Sequence, residues 1–251
     1  MKKKIKKVFS IFRIAKRISK DPHFSIGKIA TQTEVNKRPT RTEIINFFLS
    51  KTAGKNYLEI GVRNPEDNFN HIVCKNKVSV DPGVEFAENP VDYQLTSDSF
   101  FQQLSENKTK LEKNTRFDVI FIDGLHLADQ VEKDIHNSLV HLQENGFVIL
   151  HDCNPPTIFH QRENYGFHNS PAKGYWNGTT WKAFYKFRHE ENLYSICFDT
   201  DWGVAVLSKT EHPGFNRLEL PLANPYFEYL ELEKNRKVHL NLADFESWKE
   251  I

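Results

Sequence analysis

Large apolar residues recur along this chain in two rhythms. Near the start, Ile5, Val8, Phe9, Phe12, Ala15 and Ile18 step by three and four residues. That spacing stacks them on one face of a helix, with lysines and arginines on the rest. Residues 21–40 are largely polar and aperiodic, which predicts an irregular linker across the surface. A short helix follows Thr42, carrying Ile44, Ile45, Phe47, Phe48 and Leu49, and Ala53-Gly54 marks its end. Beyond it, runs that are apolar at consecutive positions (57–61, 78–80, 117–122 and 147–150) read as strands covered on both faces of a parallel sheet. Between the last two, Leu127, Val131, Ile135, Leu139 and Leu142 share one helical stripe, with Asp129 and Glu132 early and Asn145-Gly146 closing it. Residues 194–198 and 204–207 flank a short turn and form an antiparallel pair. The pattern therefore predicts an α/β, Rossmann-like domain over 41–210: a mostly parallel sheet with an antiparallel C-terminal hairpin and helices on both faces. The basic helix at 1–20 precedes it, and an extension at 211–251 packs on it.

Composition narrows the classes. With 251 residues, 39% hydrophobic and 27% charged, the chain has material for a substantial core. No apolar run approaches the roughly 18 to 20 residues of a spanning helix. Cys74, Cys153 and Cys197 share no short metal-ligand spacing, so a disulfide framework and a zinc knuckle are both disfavoured and a reducing cytoplasm is expected. The formal charge of +1 hides an asymmetry: residues 1–20 hold nine Lys or Arg and no acid, leaving 25 basic against 33 acidic residues elsewhere, a net of −8. An acidic body gives nucleic-acid binding no support. A basic amphipathic leader suits peripheral contact with the anionic inner face of a membrane, each nearby cation contributing about 1 kcal/mol of attraction. Packing on the body or on a partner is the alternative.

Ligands of open α/β sheets collect beyond the carboxyl ends of the strands, and here those ends carry glycine and acids. The first reads Leu58-Glu59-Ile60-Gly61, the glycine allowing close backbone approach to a cofactor. The second ends at Asp81, twenty residues after Gly61, where a carboxylate can accept hydrogen bonds from both ribose hydroxyls. Val62, Arg63, Asn64 and Pro65 follow Gly61, so the G-x-G-x-x-G pyrophosphate cradle of an NAD-dependent oxidoreductase is absent. S-adenosylmethionine has no pyrophosphate, and its cationic sulfonium and amino groups suit Glu59. The third and fourth strands end in Asp123-Gly124-Leu125-His126 and His151-Asp152. Neighbouring strand ends lie about 4.8 Å apart, so Asp123 and Asp152 are placed to share a divalent cation, and an imidazole from His151 tilts the choice from Mg²⁺ toward Mn²⁺. The alternative is one capping aspartate and one substrate-binding aspartate without metal. His126 is suited to taking a proton from an acceptor hydroxyl near neutral pH.

Leu58-Glu59-Ile60-Gly61, Val80-Asp81, Thr96-Ser97-Asp98, Phe121-Ile122-Asp123-Gly124-Leu125-His126 and Leu150-His151-Asp152, in this order, resemble class I S-adenosylmethionine-dependent methyltransferases. The branch most similar is methyltransferase family 24 and the macrolide-sugar O-methyltransferases, over roughly residues 41 to 209. The resemblance implies that Glu59 to Gly61 line the methionine part of the donor, that Asp81 holds its ribose, that Ser97 and Asp98 lie near its adenine, and that Asp123 is a further cofactor-binding residue. It also implies a metal on Asp123, His151 and Asp152, with His126 as catalytic base beside Asp123. The chain departs from the family at Arg63-Asn64-Pro65, where many members carry a second glycine, and at His151, which replaces a glutamate. Aromatic, amide and hydroxyl side chains interleave through residues 169–188 (Tyr175, Trp176, Asn177, Thr179, Thr180, Trp181, Tyr185), a composition suited to a sugar or glycan acceptor. The expected activity is methylation of a hydroxyl; a non-catalytic protein binding the donor or a metal is the rival from another class.

Overall fold

The computed structural model describes residues 2–52, 54–86, 88–218 and 221–250, with side chains described from Ile5 onward. Seven strands form one sheet: β1 (Asn56–Ile60), β2 (Asn76–Val80), β3 (Phe117–Ile122), β4 (Leu142–Leu150), β5 (Tyr194–Phe198), β6 (Val204–Ser208) and β7 (Leu242–Ala243), in the order β2-β1-β3-β4-β6-β5-β7. β1 pairs in parallel with β2 and β3, β3 with β4, and β5 with β7, while β6 is antiparallel to both its neighbours. Every residue of β3 and of β6 is buried, as their largely apolar runs require, Asp118 and Ser208 included.

Alternate residues of these strands feed two cores. On one face Leu58, Ile60, Ile120, Ile122, Val148 and Leu150 meet α4 (Ser97–Ser105), α5 (Ala128–Val140) and α6 (Thr180–Phe187). On the other, Tyr57, Val119, Phe121, Phe147 and Ile149 meet Ile44, Ile45, Phe48 and Leu49 of α3 (Arg41–Lys51) and Phe245 of α8 (Phe245–Trp248). The C-terminal stretch contributes to both cores and adds β7 to the sheet; α7 (Tyr229–His239) places Tyr229 and Leu232 on the α5–α6 side.

Three expectations differ from the structure. The segment expected to be an irregular linker contains α2 (Pro22–Asn36), started by Asp21 accepting from His23 N and by Pro22 in the first turn. Tertiary contacts supply what its weak periodicity lacks: the His23 ring sits edge-on to Phe159 at 5.5 Å, Thr31 bonds His160 at 3.0 Å, and Lys37 bridges Glu34 at 2.7 Å and Asp199 at 2.6 Å. The crossover helix stops at Val140, and Leu142, Asn145 and Gly146 belong to β4. His141 ends the helix with its Nδ1 on Thr115 O at 3.1 Å, and Leu142 pairs with Phe117 before an irregular register shift. Finally, α3 begins two residues earlier than Thr42 implied, with Thr40 as its cap and Thr40 and Glu43 forming a capping box. Its expected end at Ala53 falls outside the described residues.

Arg188 ties the hairpin to the C-terminal stretch. It is fully buried and, among the described residues, has no carboxylate partner; burial pulls its pKa down to about 10. Its Nε donates to Ser195 Oγ at 3.0 Å, Nη1 to the carbonyls of Val238 and His239 at 2.6 Å each, and Nη2 to Asn216 Oδ1. Replacing it orphans buried acceptors, which cost about 1–3 kcal/mol each. Arg188→Met is expected to lower unfolding stability by about 2–4 kcal/mol in denaturant titration, with earlier proteolytic cleavage after residue 209.

Candidate active site

The carboxyl ends of β1 to β4 form one rim, stitched across by Gly61 N to Val80 O at 2.8 Å, Asp123 N to Ile60 O at 2.9 Å and His151 N to Ile122 O at 3.1 Å. Beyond the rim lies a cavity of about 350 Å³, lined by Gly61, Asp81, Ser97, Asp123, Gln130, Asp134 and Trp176 among others. Gly61 has φ +92°, and a Cβ there would stand 2.3 Å from Asp123 O. Glycine is thus required for β1 to close against the start of the β3 loop as well as for access to the cavity.

Of the expected cofactor residues, Gly61, Asp81, Ser97 and Asp123 line the cavity. Asp81 Oδ1 accepts from Gly83 N at 2.6 Å and from Asn89 Nδ2 at 2.9 Å, which fixes the carboxylate. Thr96 caps α4 through Ser99 N at 3.2 Å, and Ser97 opens the helix. Two residues fall off the wall. Asp98 is exposed and accepts from Gln130 Nε2 at 3.0 Å. Glu59 shares the β1 face with Tyr57 and is buried behind the rim, accepting from Tyr57 OH at 2.6 Å and Asn68 Nδ2 at 2.9 Å; burial raises its pKa to about 7.

Six charged or titratable side chains meet beside the cavity. His126 Nε2 lies 3.3 Å from Asp123 Oδ1, and its Nδ1 lies 3.1 Å from Asp152 Oδ2. His151 Nδ1 is 3.1 Å from Asp123 Oδ1 and 3.2 Å from Asp152 Oδ2, while its Nε2 is 2.9 Å from Arg41 Nη1 and 3.3 Å from Asp201 Oδ1. Arg41 adds ion pairs to Asp123 and Asp201 at 3.8 Å each, and Asp201 Oδ2 accepts from Arg41 N at 2.7 Å. Three carboxylates thus face one guanidinium and two imidazoles. Burial works against every charge, lowering histidine pKa values and raising those of aspartates. The neighbours outweigh it: Asp152 and Asp123 raise His126 to about 9, Asp123 and Asp152 hold His151 well above its ordinary value, and His151 and Arg41 hold Asp123 well below.

The expected ligand trio was Asp123, His151 and Asp152. His151 Nδ1 lies beside both carboxylates, and Asp123, His126 and Asp152 also come together, one donor atom from each lying within 4.8 Å of the others. Both imidazoles reach both aspartates, and His151 is held in addition by Arg41 and Asp201 through its Nε2. Two carboxylates and one imidazole suit Mn²⁺ or a similar divalent ion. The same three groups are satisfied when His126 carries a proton, so proton and cation compete for one place.

His126 is positioned by the segment after β4. Trp176 stacks on its ring at 5.1 Å and 23°, and Trp176 O lies 3.2 Å from His126 Nδ1. Gly178 has φ +60° and lies so close beneath His126 that a Cβ would meet His126 O at 2.0 Å; Thr179 N donates to that oxygen at 2.7 Å. Asn177 Nδ2 donates to Asp152 Oδ1 at 2.8 Å. Arg41, Asp134 and Asp201 were not anticipated as site residues. Asp201 follows from topology, because the β5–β6 turn must sit at this rim once β6 runs antiparallel to β4.

Residues 50–153 match the family model described as a methyltransferase domain. This stretch of the chain is similar to a methyltransferase domain. No curated protein matches the sequence. Among solved structures, it is similar to an O-methyltransferase from Bacillus cereus in complex with SAH (14% identity, covering 75% of this chain and 91% of that one, TM-score 0.43). Two others are an O-methyltransferase from Streptomyces achromogenes involved in tomaymycin synthesis, in complex with SAM (10%, 76% and 91%, TM-score 0.45), and an SAH-bound methyltransferase from Podospora anserina (15%, 80% and 96%, TM-score 0.45). The matched stretch contains the ends of β1 to β4 and hence Gly61, Asp81, Asp123, His126, His151 and Asp152.

Asp134 gives the site a pH signature. It is 1% exposed, and burial raises its pKa to about 6, against hydrogen bonds from Ser97 and Gln130. A raised carboxyl pKa means the fold prefers the protonated form, so its penalty on stability grows as pH rises from about 4 to 6 and is constant above. Asp134→Asn is expected to stabilise the protein at pH 7.5 by up to about 3 kcal/mol, with the gain vanishing toward pH 4 in thermal melts.

Proposed function

We propose that the protein transfers a methyl group from S-adenosylmethionine to a hydroxyl of a small sugar or glycan acceptor, with His126 as the proton acceptor. The observation that carries this reading is His126 itself: an imidazole between Asp123 and Asp152 and stacked on Trp176, with Asp123 and Trp176 both on the cavity wall that holds Gly61, Asp81 and Ser97. S-adenosylmethionine supplies an electrophilic methyl group when bound. Asp81 would accept from the ribose hydroxyls, Ser97 and Asp134 would face the adenine end, and Asp123 with Glu59 behind it would favour the cationic end.

The acceptor side follows from the aromatic segment. Trp176 and Tyr175, the latter stacked on Trp202 at 5.3 Å, offer apolar faces to a sugar ring beside polar Asn177 and Thr179. His126 acts in its neutral form, and the paired carboxylates that raise its proton affinity make that form a stronger base. They also stabilise the imidazolium formed when the acceptor hydroxyl loses its proton. Arg41 and His151 keep Asp123 ionised for this purpose. Transfer consumes the donor's positive charge, so alignment and proton removal are the demands on the protein.

A second reading, favoured by the convergence of Asp123, His126 and Asp152, has these three holding a divalent cation that polarises the acceptor oxygen. His126 would then be a ligand. Under the first reading, His126→Ala lowers kcat by about 10²- to 10⁴-fold toward candidate nucleotide sugars, while donor affinity measured by calorimetry stays within about twofold. Turnover of the unsubstituted protein is expected to persist in chelator. Loss in chelator with recovery on adding Mn²⁺ or Mg²⁺ selects the second reading, and absence of donor binding would overturn both.

A further inference from the structure

The basic helix at the start of the chain plays no part in the site just described. α1 (Lys2–Ile18) stands clear of the body, and every side chain described from Ile5 to Lys20 is exposed. Its apolar stripe is uncovered: Phe9 is 68% exposed and Phe12 70%, with Ile5, Val8, Ile11 and Ile14 near half. Leaving two phenylalanines and four aliphatic side chains in water is unfavourable for an isolated helix, so the stripe calls for an occupant. Lys6, Lys7, Arg13, Lys16 and Arg17 flank it, and the sequence from 1 to 20 contains no acid. No described helix is long and apolar enough to cross a membrane.

We propose that α1 lies in the plane of an anionic lipid surface, with Phe9 and Phe12 in the acyl boundary and the flanking cations among the headgroups. One such surface accepts the apolar stripe and the charges together, which is the signature of an interfacial helix. Only residues 19–21 separate α1 from α2, which itself exposes Ile26 and Ile29, at 53% and 68%. The other side of α2 is fastened to the segment leading to Trp176, through His23 on Phe159 and Thr31 on His160. The lipid contact is thereby linked through one rigid helix to the acceptor side of the site. This inference stands independently of the methyl-transfer chemistry; its bearing on the acceptor rests on that reading.

The test is flotation of the full chain with vesicles of phosphatidylcholine alone or mixed with phosphatidylglycerol, alongside calorimetric titration of the same preparations with S-adenosylmethionine. Binding is expected to the mixed vesicles only. It should weaken at least tenfold between 0.1 M and 1 M salt, where the screening length falls from about 10 Å to about 3 Å. Phe9→Ser with Phe12→Ser, and separately Lys6→Glu with Lys7→Glu, should each abolish flotation and leave the heat of donor binding unchanged. Failure to float with mixed vesicles overturns the proposal, as does equal binding to neutral ones. So does self-association, seen in sedimentation without lipid, that the phenylalanine substitutions remove, because the occupant is then a second copy of the chain. Loss of donor binding with flotation intact would overturn the methyl-transfer reading and leave this one standing.

Discussion

The site depends on how three carboxylates are kept charged in a place that disfavours charge. Asp123, Asp152 and Asp201 would repel one another if left alone at the sheet rim, and at least one would take up a proton. Arg41 and two imidazoles prevent this, each reaching more than one acid, so the balance belongs to the group and no pair can be removed without disturbing the others. The fold makes the meeting possible. Asp123 and Asp152 end neighbouring parallel strands, Arg41 begins the helix that leads into β1, and Asp201 sits in the turn that feeds the single reversed strand.

Much of this was legible in the sequence because period and burial agree there. The run Phe117–Ile122 is apolar at five of six positions and lies at the centre of the sheet, so both its boundaries and its terminal aspartate were readable. Gly61, Asp81 and Ser97 could be found in the same way, as the residues that follow strands or open a helix. The choice between His126 and His151 as the imidazole of the acidic pair was not readable. Both follow strands and both reach Asp123 and Asp152; His151 differs by its further contacts with Arg41 and Asp201. Asp134 looks like any polar residue on an amphipathic helix until the cavity places it on the wall.

α2 was missed for a different reason. Its own pattern is weak, and it is held by contacts with residues more than a hundred positions away in sequence, which no local rhythm can announce. The false end of the crossover helix has a similar origin. Asn145-Gly146 has the chemistry of a helix stop, but Leu142 is already paired with Phe117, and the two residues lie in the irregular part of β4 instead.

The fit of Gly178 beneath His126 has one more implication. The loop carrying the imidazole and the segment carrying Trp176 touch backbone to backbone, with no side chain between them to absorb a change. Exposed side chains such as Tyr165 and Phe167 are therefore free to vary, while the stretch from Trp176 to Thr179 must change together with the imidazole loop as one block. Anyone grafting a new acceptor pocket onto this scaffold should place the splice before Trp176.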